Sequence, residues 1–501
     1  MGEHFDRLRQ RLATIHNIDG AIGVLGWDQQ TYMPPAGARA RAEQMATLGQ
    51  ISHDLFISEE TGELLQAAAE DVRDLPYESD EASLVRVSMR DYQQRRKIPA
   101  ELVAEITRHG STAYAVWTQA RREDDYDAFA PYLQKTVEYS RQVAELLGYE
   151  EQLYDALLDQ FEPGMTTSQV LKLFDELKQT LVPLVQRIAD GAARIDDSFL
   201  HQDADEAKQE TFGKMVAERY GYDFNRGRLD RTVHPFETAF SRDDVRITTR
   251  YEPNLFTSAL FSTLHETGHA LYEQGVGENL EGTILARGTS LGVHESQSRM
   301  WENVIGRSRD FWEQFYPVLQ QTFPAQLAEV DLERFYRAVN KVEPSLIRIE
   351  ADEVTYNLHI MLRLEMELGL LSGEVTVQDA PHIWNEKMQS YLGVTPPTNA
   401  LGILQDVHWS NGIMGYFTTY SLGNILSLQF FEKAVEARPE IPQEIRRGSF
   451  DSLRGWLTEN VYRHGRKFTP VELVKRATGG EIRTAPYLNY LQTKFADVYA
   501  L

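Results

Sequence analysis

Residues Phe261–Tyr272 read FSTLHETGHALY, an apolar run interrupted by two histidines and a glutamate and closed by the stop signals Gly275 and Gly277. The run is apolar enough to be buried and reads as a helix. Residues four apart share one helix face, so His265 and His269 present two imidazoles to one ion. Glu266, one residue on, reaches a water held by that ion and serves as its general base. With 13 histidines in the chain, His-Glu-x-x-His arises by chance roughly 0.03 times. Gly268 costs about 1 kcal/mol of helix propensity relative to alanine, which points to another backbone approaching there. The competing reading is a pair of buried, hydrogen-bonded core histidines.

A catalytic zinc needs a third protein ligand and an open position, so the fold must bring a further side chain to this helix. The chain has no cysteine, which leaves His, Asp and Glu. Glu295, in Val293-His294-Glu295-Ser296-Gln297-Ser298-Arg299, opens a second helical stretch that ends near Ile305. A helix, a loop and a helix return its carboxylate to the first. His294 is the rival ligand, but points about 100° away around the helix axis. Zinc is the expected ion, and cobalt fits the same donors.

Helical patterning dominates elsewhere. From Thr167 to Ile188 apolar residues recur at three and four, with Pro183 as a kink. Thr469-Pro470-Val471-Glu472 reads as a capping box, and Gly479-Gly480 as its stop. Similar segments lie near 3–18, 40–56, 98–121, 125–147, 311–321, 331–341 and 424–436. Thr232–Asn254 differs: two β-prone runs flank Ser241-Arg242-Asp243-Asp244, as in a hairpin. Such a hairpin either offers a strand edge to an extended peptide or covers the core. The 501 residues show no repeat and no clear linker. The expectation is a mainly α chain forming one domain over 1–501, two-lobed around a deep groove, with a small β-hairpin next to the zinc helix.

The net charge of −24 excludes nucleic acid and anionic membranes as partners. A carboxylate-binding site in so acidic a chain must supply its own local positive charge. No apolar run reaches the roughly 18 residues of a membrane-crossing helix. The N-terminal MGEHFDRLRQRLATIHNIDG lacks the apolar region of a signal peptide. A soluble, cytoplasmic protein is the expectation.

Six blocks in order resemble the carboxypeptidase Taq family of metallocarboxypeptidases, a gluzincin group related in fold to neurolysin-like peptidases. They are His234-Pro235-Phe236, Asp244-Val245-Arg246-Ile247-Thr248, the HETGH run, His294-Glu295-Ser296-Gln297, Ile347-Arg348-Ile349-Glu350-Ala351-Asp352 and Gly402 to Trp409 (GILQDVHW). The resemblance covers most of the chain. It implies metal ligands His265, His269 and Glu295, with Glu266 as general base and acid. It also implies release of single C-terminal residues from peptides, with broad preference and poor cleavage before proline, and a homodimer. An oligoendopeptidase or peptidyl-dipeptidase on the same fold is the alternative.

A carboxypeptidase recognises a terminal carboxylate best through arginine. Arg348 and Arg246 are the candidates. An intrahelical pair with Asp352 is the structural reading of Arg348, and a turn brace through Asp244 that of Arg246. Similarity to neurolysin-like enzymes assigns His408 and Tyr420 to the oxyanion, against core packing with satisfied polar tips. Asp406 is read as orienting a histidine. His234, held extended by Pro235, is either substrate-binding or structural.

Overall fold

The computed structural model describes residues 2–191 and 195–501. It is 69% helical with one three-stranded sheet, which settles the class as mainly α. The chain forms two compact units, each assembled from separated stretches: Met1–Arg96, Asp196–Val339 and Leu426–Ile482 in the first, Lys97–Ile195, Asn340–Ile425 and Arg483–Leu501 in the second.

In the first unit, helix Glu3–Thr31 buries Phe5, Leu8, Leu12 and Ile15, spaced at three and four, in a cluster with Phe56, Leu64 and Leu65. The periodicity predicts an end near residue 18, but the helix runs on to Thr31. Within the extension a glycine admits a neighbour. A Cβ on Gly23 would lie 2.9 Å from the Phe240 ring.

The sheet comprises β1 (Gly227–Arg231), β2 (Glu237–Ser241) and β3 (Asp244–Thr249), in the order β1-β3-β2. β2 and β3 form the expected antiparallel hairpin, with an irregularity between Ala239 and Ser241. β1 adds a parallel strand that the sequence reading did not contain, pairing Gly227 with Val245 through Arg231 with Thr249. Its sequence, GRLDR, carries one apolar residue and so no strand pattern.

Helix Phe256–Gly275 packs against β2, β3 and helix Glu206–Tyr220. Nearly all of it is buried, which explains its polar residues' bonding. Thr263 and Thr267 donate their hydroxyls to the Ala259 and Thr263 carbonyls, each at 2.7 Å. Helix Leu291–Arg299 crosses it at Gly268, then widens into a π-helical turn, Met300–Ile305.

The second unit is built on helices Ala100–Glu123, Tyr126–Leu147, Thr167–Gly191, Tyr356–Ser372, Ala380–Leu392 and Ala485–Tyr499. Thr167–Gly191 contains Pro183, as the sequence requires. In the first unit Thr469 caps Pro470–Thr478 with Glu472 completing the box, and Gly479 ends it at φ +76°.

A Cβ at Gly268 would sit 2.5 Å from the Gln297 carbonyl oxygen and 2.6 Å from the Ser298 Cα. Both are backbone atoms and cannot rotate aside. Gly268→Ala gains about 1 kcal/mol of helix propensity but overpacks this contact at a cost of about 1–3 kcal/mol. A lowered denaturation midpoint is expected in thermal or urea unfolding, and an unchanged or raised one would refute the close packing.

Candidate metal centre and the 405–420 segment

One helical turn separates His265 from His269, and both Nε2 atoms face Glu295 Oε2, at 3.6 and 3.4 Å. The three residues form a group able to hold an ion, with ligand atoms within 4.8 Å of one another. Arg299 Nε donates to Glu295 Oε1 at 2.6 Å and Ser298 Oγ to Oε2 at 3.0 Å. These bonds fix the carboxylate while leaving Oε2 turned to the imidazoles.

The opposite edge of each imidazole is also held. Glu302 Oε2 accepts from His265 Nδ1 at 2.9 Å, which frees Nε2 as a ligand. His294 does not join the ligand group. Its Nε2 donates to Glu273 Oε1 at 2.8 Å, so its Nδ1 is left to accept from His269 Nδ1 at 2.6 Å. The chain Glu273–His294–His269 thereby exposes the second Nε2.

The electrostatics favour a cation. Burial alone would lower the pKa of His265, but Glu295, Glu302 and Glu266 raise it to about 9. The field that holds a proton there also favours a divalent ion, and two imidazoles with one carboxylate are a fitting donor set. Burial and then His294 push His269 down to about 3, leaving it neutral for coordination. Glu266 is 6% exposed and accepts no hydrogen bond among the described residues. Burial, reinforced by Glu295 and Glu302, raises it to about 7, in the range of a general base.

Three carboxylates here escaped the sequence reading. Glu273 had a signal, since it continues the His265–His269 stripe by four more residues. Glu302 had one as well, standing two helical turns after Glu295 and on the far side of Arg299, which lies 3.5 Å from it. Glu237 lies on β2 with a buried Oε1 that has no partner among the described residues. Burial, Glu273 and Glu266 push its pKa well above the carboxylate range.

The remaining candidates of this unit lie on the sheet and its loop. Arg246 binds Asp244 through two bonds of 2.8 Å and covers the Trp27 ring at 4.3 Å, which is the bracing arrangement. His234 is exposed between β1 and β2.

Arg348, His408 and Tyr420 belong to the second unit. Arg348 lies on a short 3₁₀ turn, Arg348–Glu350, rather than in a helix with Asp352. Asp352 instead accepts from the Thr355 hydroxyl at 2.6 Å and the Glu343 amide at 3.1 Å. Arg348 donates to Asp406 Oδ1 at 2.9 Å and to the Tyr356 hydroxyl at 2.9 Å. Arg363, unnoticed in sequence, occupies Asp406 Oδ2 at 2.6 Å. Asp406 therefore bonds two arginines and does not orient a histidine. Burial alone would raise the Asp406 pKa, but Arg348 and Arg363 take it well below the carboxylate range.

His408 Nε2 lies 3.4 Å from the Tyr420 hydroxyl, with the Phe417 ring 4.3 Å away. Its buried Nδ1 has no partner among the described residues. Burial, together with Arg348 and Arg363, lowers its pKa to about 4, so it is neutral at pH 7.

The family model for carboxypeptidase Taq (M32) metallopeptidases matches residues 7–495. Carboxypeptidase 1 of Bacillus subtilis is 41% identical over 100% of this chain and 98% of its own. Thermostable carboxypeptidase 1 of Thermus thermophilus is 44% identical, with 96% of each chain covered. The M32 carboxypeptidase of Deinococcus radiodurans superposes with a TM-score of 0.97 at 44% identity, covering 100% of both chains.

Two predictions follow from the bonding. Glu302→Gln and Glu273→Gln disturb the imidazoles from behind, and each is expected to weaken zinc affinity about 10–100-fold in chelator competition; wild-type affinity would deny them that role. Asp406→Asn strands two buried guanidinium groups and is expected to cost about 3–5 kcal/mol in equilibrium unfolding.

Proposed function

Because the chain belongs to the carboxypeptidase Taq (M32) family of metallopeptidases, we propose that this metallocarboxypeptidase releases single C-terminal residues from peptides, with broad preference and slow cleavage before proline. The observation that carries the reading is the convergence of His265 Nε2, His269 Nε2 and Glu295 Oε2 beside the buried Glu266. Zinc is the proposed ion, with cobalt as a substitute.

A divalent ion held by these residues would supply Lewis acidity to water and to the scissile carbonyl. The protein's own part is proton transfer and charge placement. Glu266 takes a proton from the attacking water and returns it to the leaving nitrogen, a role served by its raised pKa. His408 and Tyr420 are assigned to the carbonyl oxygen as negative charge develops. Their adjacency supports this pairing. The terminal carboxylate is assigned first to Arg348. Arg246 is the weaker candidate because Asp244 occupies it through two bonds. Arg348 shares Asp406 with Arg363, which leaves that trio one positive charge in excess. His234, exposed, is assigned to substrate contact.

Among the described residues no helix is long and apolar enough to cross a membrane. A cytoplasmic homodimer acting on peptides completes the reading. Sedimentation of the purified protein tests the dimer, and a monomer at micromolar concentration would remove it.

The central test uses an N-blocked tripeptide. Release of one C-terminal amino acid is expected, abolished by chelator and restored by zinc or cobalt. Internal cleavage of a C-terminally amidated peptide would overturn the exopeptidase reading in favour of an oligoendopeptidase. Glu266→Gln is expected to retain metal while turnover falls by at least about 10²-fold; full turnover would refute the assignment.

A further inference from the structure

Helix Tyr356–Ser372 is the most buried long helix of the second unit, yet it carries polar side chains at Tyr356, His359, Arg363 and Glu367. Their spacing of three, four and four puts them on one face. Three of them bond groups outside the helix. Tyr356 accepts from Arg348, Arg363 binds Asp406, and Glu367 accepts three hydrogen bonds.

The Glu367 bonds come from three directions. Trp409 Nε1 donates to Oε1 at 2.9 Å, and the Tyr154 hydroxyl and Gly415 amide donate to Oε2 at 2.7 and 3.0 Å. An ionised carboxylate, accepting at both oxygens, serves all three as they stand, and these donors together with Arg363 work against the burial that raises its pKa to about 7. Glu367 is fully buried, and desolvating a carboxylate is costly unless it is hydrogen-bonded.

What these bonds hold is the segment from Gln405 to Tyr420. Apart from the 3₁₀ turn Trp409–Asn411 and the start of helix Thr418–Ala437, it has no regular ladder to fix its backbone. Gly415 stands at φ +93°, and a Cβ there would come within 2.8 Å of the Leu157 carbonyl carbon. The short helix Leu153–Leu158 that crowds it also carries Tyr154. Trp409 follows His408 directly, and Gly415 precedes Tyr420 by five residues. Asp406, two residues before His408, is held by Arg363 from the same helix face.

We infer that Glu367 is a positioning residue for peptide hydrolysis, holding Trp409 and the Gly415 amide so that His408 Nε2 and the Tyr420 hydroxyl stay together. The inference rests on the oxyanion role proposed for that pair.

Glu367→Gln preserves shape but turns an N–H₂ group toward either Trp409 Nε1–H or the donors on the other side. With a blocked tripeptide, kcat is expected to fall up to about 10²-fold, as for a small misplacement of catalytic groups, with KM within about threefold of wild type. Bound zinc and the near-ultraviolet dichroism spectrum should match wild type. Adding Trp409→Phe removes the donor facing the new amide and should recover at least about tenfold of the lost kcat. Should Glu367→Gln not fold, Glu367→Asp, which retracts the carboxylate, is expected to show the same kcat loss. Unchanged kcat in folded, zinc-loaded Glu367→Gln, or in the Asp variant when that is the one studied, overturns the inference.

His408→Ala and Tyr420→Phe separate this from the underlying reading. If both retain wild-type turnover, the oxyanion assignment fails. If they lose turnover and the Glu367 variant keeps it, only the positioning role fails. In the His408→Ala background, Glu367→Gln should add less than about threefold further loss; a fully multiplied loss would show that Glu367 acts by another route.

Discussion

The first unit depends on making a buried negative charge tolerable. Glu295 is 6% exposed, and taking a carboxylate out of water costs several kcal/mol even after relaxation. Arg299, Ser298 and two imidazoles surround it, so that its pKa lies well below the usual range despite burial. That compensation requires helices Phe256–Gly275 and Leu291–Arg299 to touch through their backbones. Gly268 permits the contact, and the bond from the Tyr462 hydroxyl to Gln297 Oε1 at 2.9 Å anchors the second helix beside it. The candidate ligand set is thus a consequence of one missing side chain as much as of three present ones.

Which parts of this were legible in the sequence follows from the range of each signal. His265, His269 and Glu266 are local, and helical periodicity alone places them. Glu295 was reachable because it stands near the start of the next helix, where chain length allows a return. The hairpin was legible from two β-prone runs around a polar turn. β1 was not, because GRLDR has no alternation and owes its strand state to parallel pairing with β3. Glu302 shares the face of Glu295, but the group it meets, His265, is 37 residues away, which no local spacing encodes. For Arg348, the alternative of a local pair with Asp352, four residues away, is not the one formed. The nearer carboxylate was one 58 residues distant, which no local spacing encodes.

The two units handle charge differently. Around the candidate metal site the carboxylates are matched by bases, and the arginines present are committed. Arg299 serves Glu295 and lies 3.5 Å from Glu302, which Arg307 also approaches at 3.5 Å. Arg246 is committed to Asp244. Against the effect of burial, the carboxylates nearest His265 raise its pKa to about 9, and the same local field suits a divalent cation there.

The second unit carries a cluster with one positive charge in excess. Arg348 and Arg363 divide the two oxygens of Asp406, and Burial together with these arginines keeps His408 neutral. A neutral imidazole beside a fixed positive charge can offer or accept a hydrogen bond without competing for the anion. In a chain of net charge −24, a carboxylate meets long-range repulsion, so recognition must come from short-range, oriented donors. Orientation is what the Tyr356–Ser372 helix provides, through side chains that bond Arg348, Asp406, Trp409 and Gly415 from one face. The polar stripe is therefore retained in a core where leucine would pack at lower cost, because the segment it holds has no regular secondary structure of its own.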